Sequence, residues 1–243
     1  MTLLHDLFLN LLINPLFWYI LVYNIGGIYF LTYILYYDND EKYAPLAKIV
    51  NGFLSFIITL FPFLIHFTTQ PRIYGSLGTF LTPSNQIIIE PFVNFGLFQG
   101  YFLSIIGIIT TSLGVVLFIA ALNKISKVIG LDQFKSEEIL TKGLYGIVRN
   151  PLYTSLMIIY IGMALILGAV YSLLLAPLFY GLLWVSGLIE IHLNLEKKFG
   201  KDKVNEYKSK VPYSLFNKTL WVLIVFLLVY LIILAVIGYF PLY

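Results

Sequence analysis

The chain has 243 residues, of which 60% are hydrophobic and 11% charged, with a formal net charge of +3 and no cysteine. An ordinary soluble domain is nearer half apolar and a quarter charged, so this composition excludes an ordinary soluble fold. The missing cysteine excludes disulfides, thiolate metal sites and cysteine nucleophiles. The apolar residues stand in long runs, and about 20 such residues in a helix cross a bilayer. The sequence therefore predicts an all-α, polytopic transmembrane helical bundle.

Six apolar runs are candidates for membrane spans. In chain order, the predicted spans are 15–36, 49–68, 98–123, 152–169, 171–191 and 219–239. The fourth and fifth runs are separated by a single residue, so we expect them to form a tight helical hairpin. This pattern divides the chain into three parts. They are N-terminal transmembrane helices (1–123), a central part with a connector, the hairpin and a polar helix (124–218), and a C-terminal transmembrane helix (219–243).

The basic residues agree with six spans. If every run crosses once, 14 of the 15 basic residues lie on one side and only Arg72 lies on the other. Basic loops stay in the cytoplasm, so this side is predicted to be cytoplasmic. We therefore expect a multi-pass protein of the cell membrane with both termini outside. His66, at the end of the second run, is expected to be an interfacial histidine.

The chemistry is concentrated in two segments that flank the hairpin, and residues 143–153 form the first. Pro151 begins the fourth run and suits the first position of a helix, with Asn150 as its N-cap. A helix N-terminus beside Arg149 is a favourable place for a carboxylate. Tyr145 could contact a purine or a cation. A plain helix start with interfacial Arg and Tyr residues would have the same sequence, so both readings stay open.

The second segment follows the fifth run. Glu190 lies about one turn inside the apolar run, where an ionisable group is costly. His192 and Glu196 are four residues apart and share a helix face. They do not predict a metal site, because no third ligand has a fitting spacing. The alternative is that these side chains are interfacial and simply reach water.

Together the two segments resemble the isoprenylcysteine carboxyl methyltransferase and phospholipid methyltransferase superfamily. Residues 143–153, which read GLYGIVRNPLY, resemble the family motif G-x-Y-x-x-V-R-H/N-P-x-Y. The second family signature resembles Leu195, Phe199-Gly200, Tyr207 and Val211-Pro212. The resemblance covers residues 136–212, about a third of the chain.

The resemblance implies an integral membrane methyltransferase that uses S-adenosylmethionine and acts on a lipophilic substrate arriving from the bilayer. Arg149 would anchor a carboxylate of cofactor or substrate, and Glu190 would orient a polar group or accept a proton. The remaining cofactor contacts implied by the motif are Leu140, Tyr145, Asn150, Pro151, Leu152 and Tyr153. The expected partners are this substrate and membrane lipid, without nucleic acid, and the oligomeric state stays open.

The sequence departs from the family pattern at two places. Asn150 stands where the family commonly has histidine. The family's acidic pair aligns with Ile191 and His192, so that Glu190 is one residue away. One residue on an α-helix rotates a side chain by about 100°. Either a local helical bulge restores the position of Glu190, or His192 takes its place.

Other functions remain possible from the sequence. A carboxylate, a phospholipid amine, a thiol or a quinone-like lipid could accept the methyl group, and O-, N- and S-methylation are not distinguished. A membrane reductase on a related scaffold is one alternative, although the chain has no G-x-G-x-x-G in a strand–helix setting. A transporter or structural membrane protein is another, although paired polar residues within the spans are largely missing.

Overall fold

The structure is a computed structural model that describes residues 9–38, 53, 57–88, 101–129, 139–216, 222, 225 and 229. These residues are mostly helical, with two short strands. In chain order, the elements are α1 (Pro15–Asp38), α2 (Ile57–Phe67, whose last turn Ile65–Phe67 is 3-10), β1 (Arg72–Ile73), α3 (Gly78–Leu81), β2 (Ile87–Ile88), α4 (Phe102–Ile129), α5 (Leu144–Ile147), α6 (Pro151–Leu167), α7 (Val170–Glu190), a π-helix (Ile191–Leu195), α8 (Glu196–Phe199) and α9 (Lys201–Lys210).

The described residues include two helices long and apolar enough to cross a membrane. They are Phe102–Lys124 within α4, and α7, whereas α2 and α6 are apolar but shorter. The helical class agrees with the sequence prediction. The bundle of six spans is not established. The predicted span 219–239 lies outside the described residues apart from three positions, and residues 49–52 and 54–56 of the second span also lie outside them.

The outward face of α4 is apolar and exposed along its length. Its most exposed members are Ile109, Val116, Leu113, Ile119 and Ile108, each at least half accessible. A continuous apolar surface of this kind is rare on a protein surrounded by water. Such a face suits contact with acyl chains, which are as apolar as these side chains.

Helices α6 and α7 form the tight hairpin predicted from the sequence. Pro151 is the first residue of α6, a position where its missing N–H costs no hydrogen bond. The helix is capped at Gly168, whose φ of 57° lies in the left-handed region that glycine adopts without strain. Near the turn, the Tyr160 hydroxyl donates a hydrogen bond to the Ser172 carbonyl at 2.9 Å. Both helices contribute to the largest buried apolar cluster.

Helix α4 packs closely along α6 because both helices have glycine at the contact. A Cβ atom added to Gly162 of α6 would lie 2.6 Å from the backbone nitrogen of Thr111 in α4. A Cβ atom on Gly107 would lie 2.5 Å from the backbone nitrogen of Ile166. Small residues at such contacts let transmembrane helices approach closely. The close pair places α6, and hence the residues at its N-terminus, against α4.

We expect Gly162→Ala to destabilise the protein by about 1–3 kcal/mol. The added Cβ would meet the Thr111 hydroxyl and two backbone atoms of α4, the Thr111 nitrogen and the Gly107 oxygen, and the backbone atoms cannot rotate away. The measurement is thermal unfolding of the purified protein in detergent. Gly181→Ala in α7 is the matched control, since a Cβ there meets nothing within 4 Å. Alanine has the higher helix propensity, so the control is expected to be neutral or stabilising. Equal melting temperatures for the two variants would contradict this packing.

A small group of residues after α2 holds the turn of the hairpin in place. We call it the turn clasp, and it comprises residues 70–73 and 87–88. The strands β1 and β2 within it pair in parallel. The Ile73 amide donates to the Gly168 carbonyl at 3.0 Å, which joins β1 to the turn. The Gln70 side-chain oxygen accepts a hydrogen bond from the Ser172 amide at 3.2 Å, so Gln70 caps the first turn of α7.

Arg72 is fully buried in the turn clasp, with 0% of its surface exposed. Its Nη2 atom donates to the carbonyls of His66 and Thr68, both at 2.9 Å. Longer contacts reach the carbonyls of Leu167 at 3.5 Å and Pro83 at 3.4 Å. The guanidinium thus bridges the C-terminal ends of α2 and α6, where carbonyls lack helical partners. Burial lowers the pKa of Arg72 to about 10, which leaves it charged at neutral pH.

His66 differs from its expected interfacial position. It is fully buried, and its ring lies 4.5 Å from the ring of Tyr160, with Phe63 edge-on at 5.9 Å. The sequence places it at the end of an apolar run, where water would be reachable in an isolated helix. The turn clasp covers this end of α2 and removes that access.

Candidate functional site

The candidate site lies at the end of the hairpin opposite the turn, where α6 begins and α7 ends. A short extended segment after α9 crosses this end, and we call residues 211–216 the C-terminal strap. The Arg149 amide donates to the Tyr213 carbonyl at 2.9 Å, and the Asn150 amide donates to the Ser214 carbonyl at 3.0 Å. The strap therefore holds the backbone of the segment immediately before α6.

Asn150 occupies the N-cap position of α6, but its side chain makes no capping hydrogen bond. The side-chain nitrogen instead donates to the Ser214 hydroxyl at 3.2 Å. The side chain packs against Gly187, where any Cβ atom would overlap it. This corrects the expected capping role. The Asn150 amide is also occupied by the strap, and Pro151 has no N–H. Of the amides at residues 150–152, that of Leu152 in the first turn of α6 is therefore the donor nearest to this segment that could serve a ligand.

Three tyrosines gather around Glu190, the last residue of α7. The Tyr153 hydroxyl, from the first turn of α6, hydrogen-bonds the Glu190 carboxylate. Tyr145 in α5 and Tyr207 in α9 lie close enough to interact with the same carboxylate electrostatically. We call Tyr145, Tyr153, Tyr207, Arg149 and Glu190 the tyrosine cluster. Glu190 is surrounded by protein atoms yet remains accessible to solvent, as a group on a cavity wall is.

Tyr145 and Tyr207, the two tyrosines of the cluster outside the hairpin, act as hydrogen-bond donors rather than as bases. Burial raises the pKa of Tyr145 well above its ordinary value, and the nearby Glu190 raises it further. Burial raises the pKa of Tyr207 to about 12, although Arg149 opposes the shift. Burial also lowers the pKa of Arg149, with Tyr207 acting in the opposite direction. At neutral pH the two phenols are protonated and can donate hydrogen bonds.

Two buried donors of the tyrosine cluster have no acceptor among the described residues. They are the Tyr145 hydroxyl and the Arg149 Nε atom. Arg149 uses its Nη2 atom to donate to the Pro212 carbonyl at 3.0 Å, which fixes the guanidinium against the strap. A buried donor without a partner costs about 1–3 kcal/mol, so such groups commonly mark a ligand position. An acceptor such as a carboxylate would satisfy both atoms.

A cavity of about 360 Å³ opens beside the tyrosine cluster. Its lining residues come from the connector before α5, from α8 and from α9: Ile139, Thr141, Phe199, Lys203, Glu206, Tyr207 and Lys210. Tyr207 belongs to both the cavity wall and the cluster. Leu140, predicted to contact a cofactor, lies in the connector between two lining residues and is partly buried. The volume falls in the range of small-molecule sites.

The π-helix from Ile191 to Leu195 follows Glu190 directly. A π-turn accommodates one more residue than an α-turn and is frequent at functional sites. This is the helical bulge that the sequence analysis offered as one way to reposition Glu190. The additional residue of the π-turn rotates α9, which carries Tyr207, relative to α7, which ends at Glu190. As a result both side chains meet at one place.

His192 lies within the π-helix and pairs away from the cluster. Its Nδ1 atom is 2.9 Å from the Glu196 carboxylate, which also accepts from Lys208 at 3.1 Å. Burial alone would raise the pKa of Glu196, but the hydrogen bonds from His192 and Lys208 outweigh it and hold the pKa below its ordinary value. Of the two candidates for the family's acidic position, Glu190 is the one that accepts a hydrogen bond from Tyr153 of the tyrosine cluster.

The site also includes residues that the sequence analysis did not select. Tyr207 was noted in the second signature but was not assigned to the site. Its hydroxyl donates to the Arg149 carbonyl at 3.4 Å. Thr154 donates from its hydroxyl to the carbonyls of Asn150 and Leu215. The sequence did contain a signal for Tyr207, because Val204 and Tyr207 form the inward face of an otherwise polar helix. No sequence signal indicated the contacts of the strap, which depend on the path of the chain.

Comparison with known proteins gives one match. Residues 100–202, less than half of the chain, match the family described as phospholipid methyltransferase. This family is part of the isoprenylcysteine carboxyl methyltransferase-like superfamily of integral membrane methyltransferases, so the resemblance seen in the sequence is confirmed. The matched region contains α4, the hairpin and the first part of the tyrosine cluster. No curated protein and no solved structure matches the chain.

Proposed function

Residues 100–202 match the phospholipid methyltransferase family. We propose that the chain is an integral membrane enzyme that transfers a methyl group from S-adenosylmethionine to a lipophilic, membrane-accessible acceptor. The observation that supports it best is the pair of buried donors without acceptors, the Tyr145 hydroxyl and the Arg149 Nε atom. They lie in a cluster that adjoins a cavity of about 360 Å³ and that unites the two family signatures.

The residues present fit the methionine end of such a cofactor. Its carboxylate would accept hydrogen bonds from Arg149 and Tyr145, and the amide of Leu152 at the α6 N-terminus would support the same negative charge. S-Adenosylmethionine supplies a methyl group on a positively charged sulfur. Glu190, held by the Tyr153 hydroxyl, would orient that end of the site through its negative charge. The chain thus contributes chiefly by positioning the reactants.

The acceptor is proposed to reach the site from the bilayer. Helix α7 leads to Glu190 and has exposed apolar side chains along its length, among them Leu174, Leu178 and Trp184. A lipophilic molecule could follow this surface to the tyrosine cluster. A site shielded from water there would favour attack by a carboxylate, thiol or amine. On this proposal the loops that carry the cluster are cytoplasmic, because 14 of the 15 basic residues belong to that side.

The direct test is binding of labelled S-adenosylmethionine to the purified full chain in detergent or nanodiscs. We expect saturable binding by the parent protein. Tyr145→Phe removes one buried donor and should weaken binding about tenfold, the effect of losing one hydrogen bond to a charged group. Tyr74→Phe, on an exposed tyrosine near the turn clasp, is the control and should bind as the parent does. Absence of binding to folded parent protein would refute the proposed function.

The π-helix provides a second test of the same site. Deleting Asn194 should convert the segment to α-helix and rotate α8 and α9 by about 100° relative to α7. Tyr207 would then leave Glu190, and we expect cofactor binding to fall more than tenfold while helical content by circular dichroism is unchanged. Asn194→Ala retains the residue count and serves as control. Unchanged binding by the deletion variant would show that cofactor binding does not require Tyr207 to lie beside Glu190.

A further inference from the structure

A second cavity lies at the end of the hairpin that carries the turn, one length of α7 away from the tyrosine cluster. Its volume is about 620 Å³. We call it the turn-end cavity, and it is lined by Asn10, Ile13, Asn14, Pro15, Leu16, Tyr19, Thr69, Asn85 and Tyr171. The 21 residues of α7 correspond to about 30 Å. The two cavities are therefore separate sites.

Several hydrogen bonds fix the walls of the turn-end cavity. The Thr69 amide donates to the Ile13 carbonyl at 2.7 Å, which joins the segment before α1 to the segment after α2. The Tyr19 hydroxyl donates to the Tyr171 carbonyl at 3.0 Å, which joins α1 to α7. The walls thus come from three distant parts of the chain, and the cavity is formed by the tertiary fold rather than by one loop.

The lining has a distinctive chemistry. Among the described residues it includes three side-chain amides, of Asn10, Asn14 and Asn85, and two phenol groups, but no charged side chain. A side-chain amide has both donor and acceptor atoms, as each hydroxyl group of a ligand does. The Asn14 oxygen also accepts from the Leu16 amide at 2.9 Å, so Asn10 and Asn85 are the amides chosen for the test. Arg72 is the nearby cation, and its buried guanidinium is directed at backbone carbonyls of the turn clasp. An anionic ligand would therefore lack a countercharge here.

We propose that the turn-end cavity binds an uncharged, hydroxyl-rich group, either the sugar or polyol headgroup of a lipid or a free saccharide. The amides match hydroxyl groups, and the faces of Tyr19 and Tyr171 suit the apolar face of a sugar ring. Exposed apolar side chains of α1 at the cavity edge, such as Leu16 and Ile20, would contact the acyl chains of a lipid. This proposal does not depend on the proposed methyl transfer.

The test uses full-length protein purified in a zwitterionic detergent without sugar and transferred to phosphatidylcholine nanodiscs. One arm adds glucosyl diacylglycerol and measures the lipid retained on the protein by native mass spectrometry. The other arm adds methyl β-glucoside and measures binding by saturation-transfer NMR. The variants are Asn10→Leu and Asn85→Leu, both at exposed positions, and the milder Tyr171→Phe. Asn24→Leu, on an exposed asparagine further along α1, is the matched control.

We expect the parent and the control to retain the glycolipid, and the double variant Asn10→Leu/Asn85→Leu to retain about tenfold less. Tyr171→Phe should show a smaller reduction. Binding of methyl β-glucoside as well would identify the sugar itself as sufficient, whereas binding of the glycolipid alone would identify a lipid headgroup site. Lack of binding in both arms, or equal binding by parent and double variant, would overturn the proposal. A parallel sample adds phosphatidylglycerol together with the glycolipid, and preferential retention of this anionic lipid would overturn the proposal too.

Discussion

Replacing Arg72 by methionine is expected to lower the free energy of unfolding by about 3–5 kcal/mol. The buried guanidinium donates to the carbonyls of His66 and Thr68 at 2.9 Å, at the C-terminal end of α2. Methionine fills similar space but leaves these carbonyls unsatisfied, and hydrogen bonds to a charged group contribute about 1.5–3 kcal/mol each. Since the turn clasp also holds the hairpin turn, the loss should spread to α6 and α7. Thermal unfolding in detergent measures it.

Two further variants calibrate this experiment. Arg72→Lys keeps the charge but cannot reach several carbonyls at once, so it should have an intermediate effect. Lys201→Met removes an exposed cation of α9 and should change stability by less than 1 kcal/mol. If Arg72→Met melts at the same temperature as Lys201→Met, the turn clasp does not stabilise the hairpin as described here.

Replacing Glu190 by glutamine is expected to weaken binding of S-adenosylmethionine by about ten- to a hundredfold. The carboxylate accepts a hydrogen bond from Tyr153 and provides the negative charge of the tyrosine cluster. Glutamine can still accept from Tyr153 but lacks the negative charge proposed to face the positively charged sulfur of the cofactor. Loss of an interaction with a charged group corresponds to this range of affinity. The variant should be at least as stable as the parent, because a carboxylate surrounded by protein is costly. Binding and thermal unfolding measured together therefore separate a local effect from misfolding.

The matched control is His192→Gln. His192 pairs with Glu196, a residue outside the cluster, at 2.9 Å, so we expect its replacement to change binding less than threefold. A larger effect of His192→Gln than of Glu190→Gln would reverse the assignment. His192 would then occupy the position of the family's acidic pair.

Much of the candidate site could be predicted from local sequence. Pro151 begins a helix, and Tyr145 and Arg149 lie shortly before it. Glu190 ends the next apolar run. In a tight hairpin, these residues lie at the same end. A tight turn after α6 requires this arrangement, because two antiparallel helices of similar length bring the start of one near the end of the other.

The remaining features depend on tertiary structure. The C-terminal strap has no recognisable sequence motif. Its contacts to Arg149 and Asn150 use backbone carbonyls, which every residue has. The side chain of Asn150 suited an N-cap by residue type, but Ser214 offered a partner that no local rule could anticipate. The burial of Arg72 is similar, because an isolated arginine in a connecting segment reads as a charge in water.

The π-helix has a consequence for comparing this chain with its relatives. The segment Ile191–Leu195 holds one residue more than an α-helical turn would. In an alignment with a relative that lacks this residue, all positions before the segment are displaced by one relative to those after it. An ungapped alignment anchored on Phe199 and Gly200 pairs the acidic positions of a relative with Ile191 and His192 and misses Glu190. The correct alignment opens a gap of one residue inside a continuous helix, where gaps are ordinarily avoided. Family members whose ungapped alignment lacks the acidic pair should be re-examined for the same insertion.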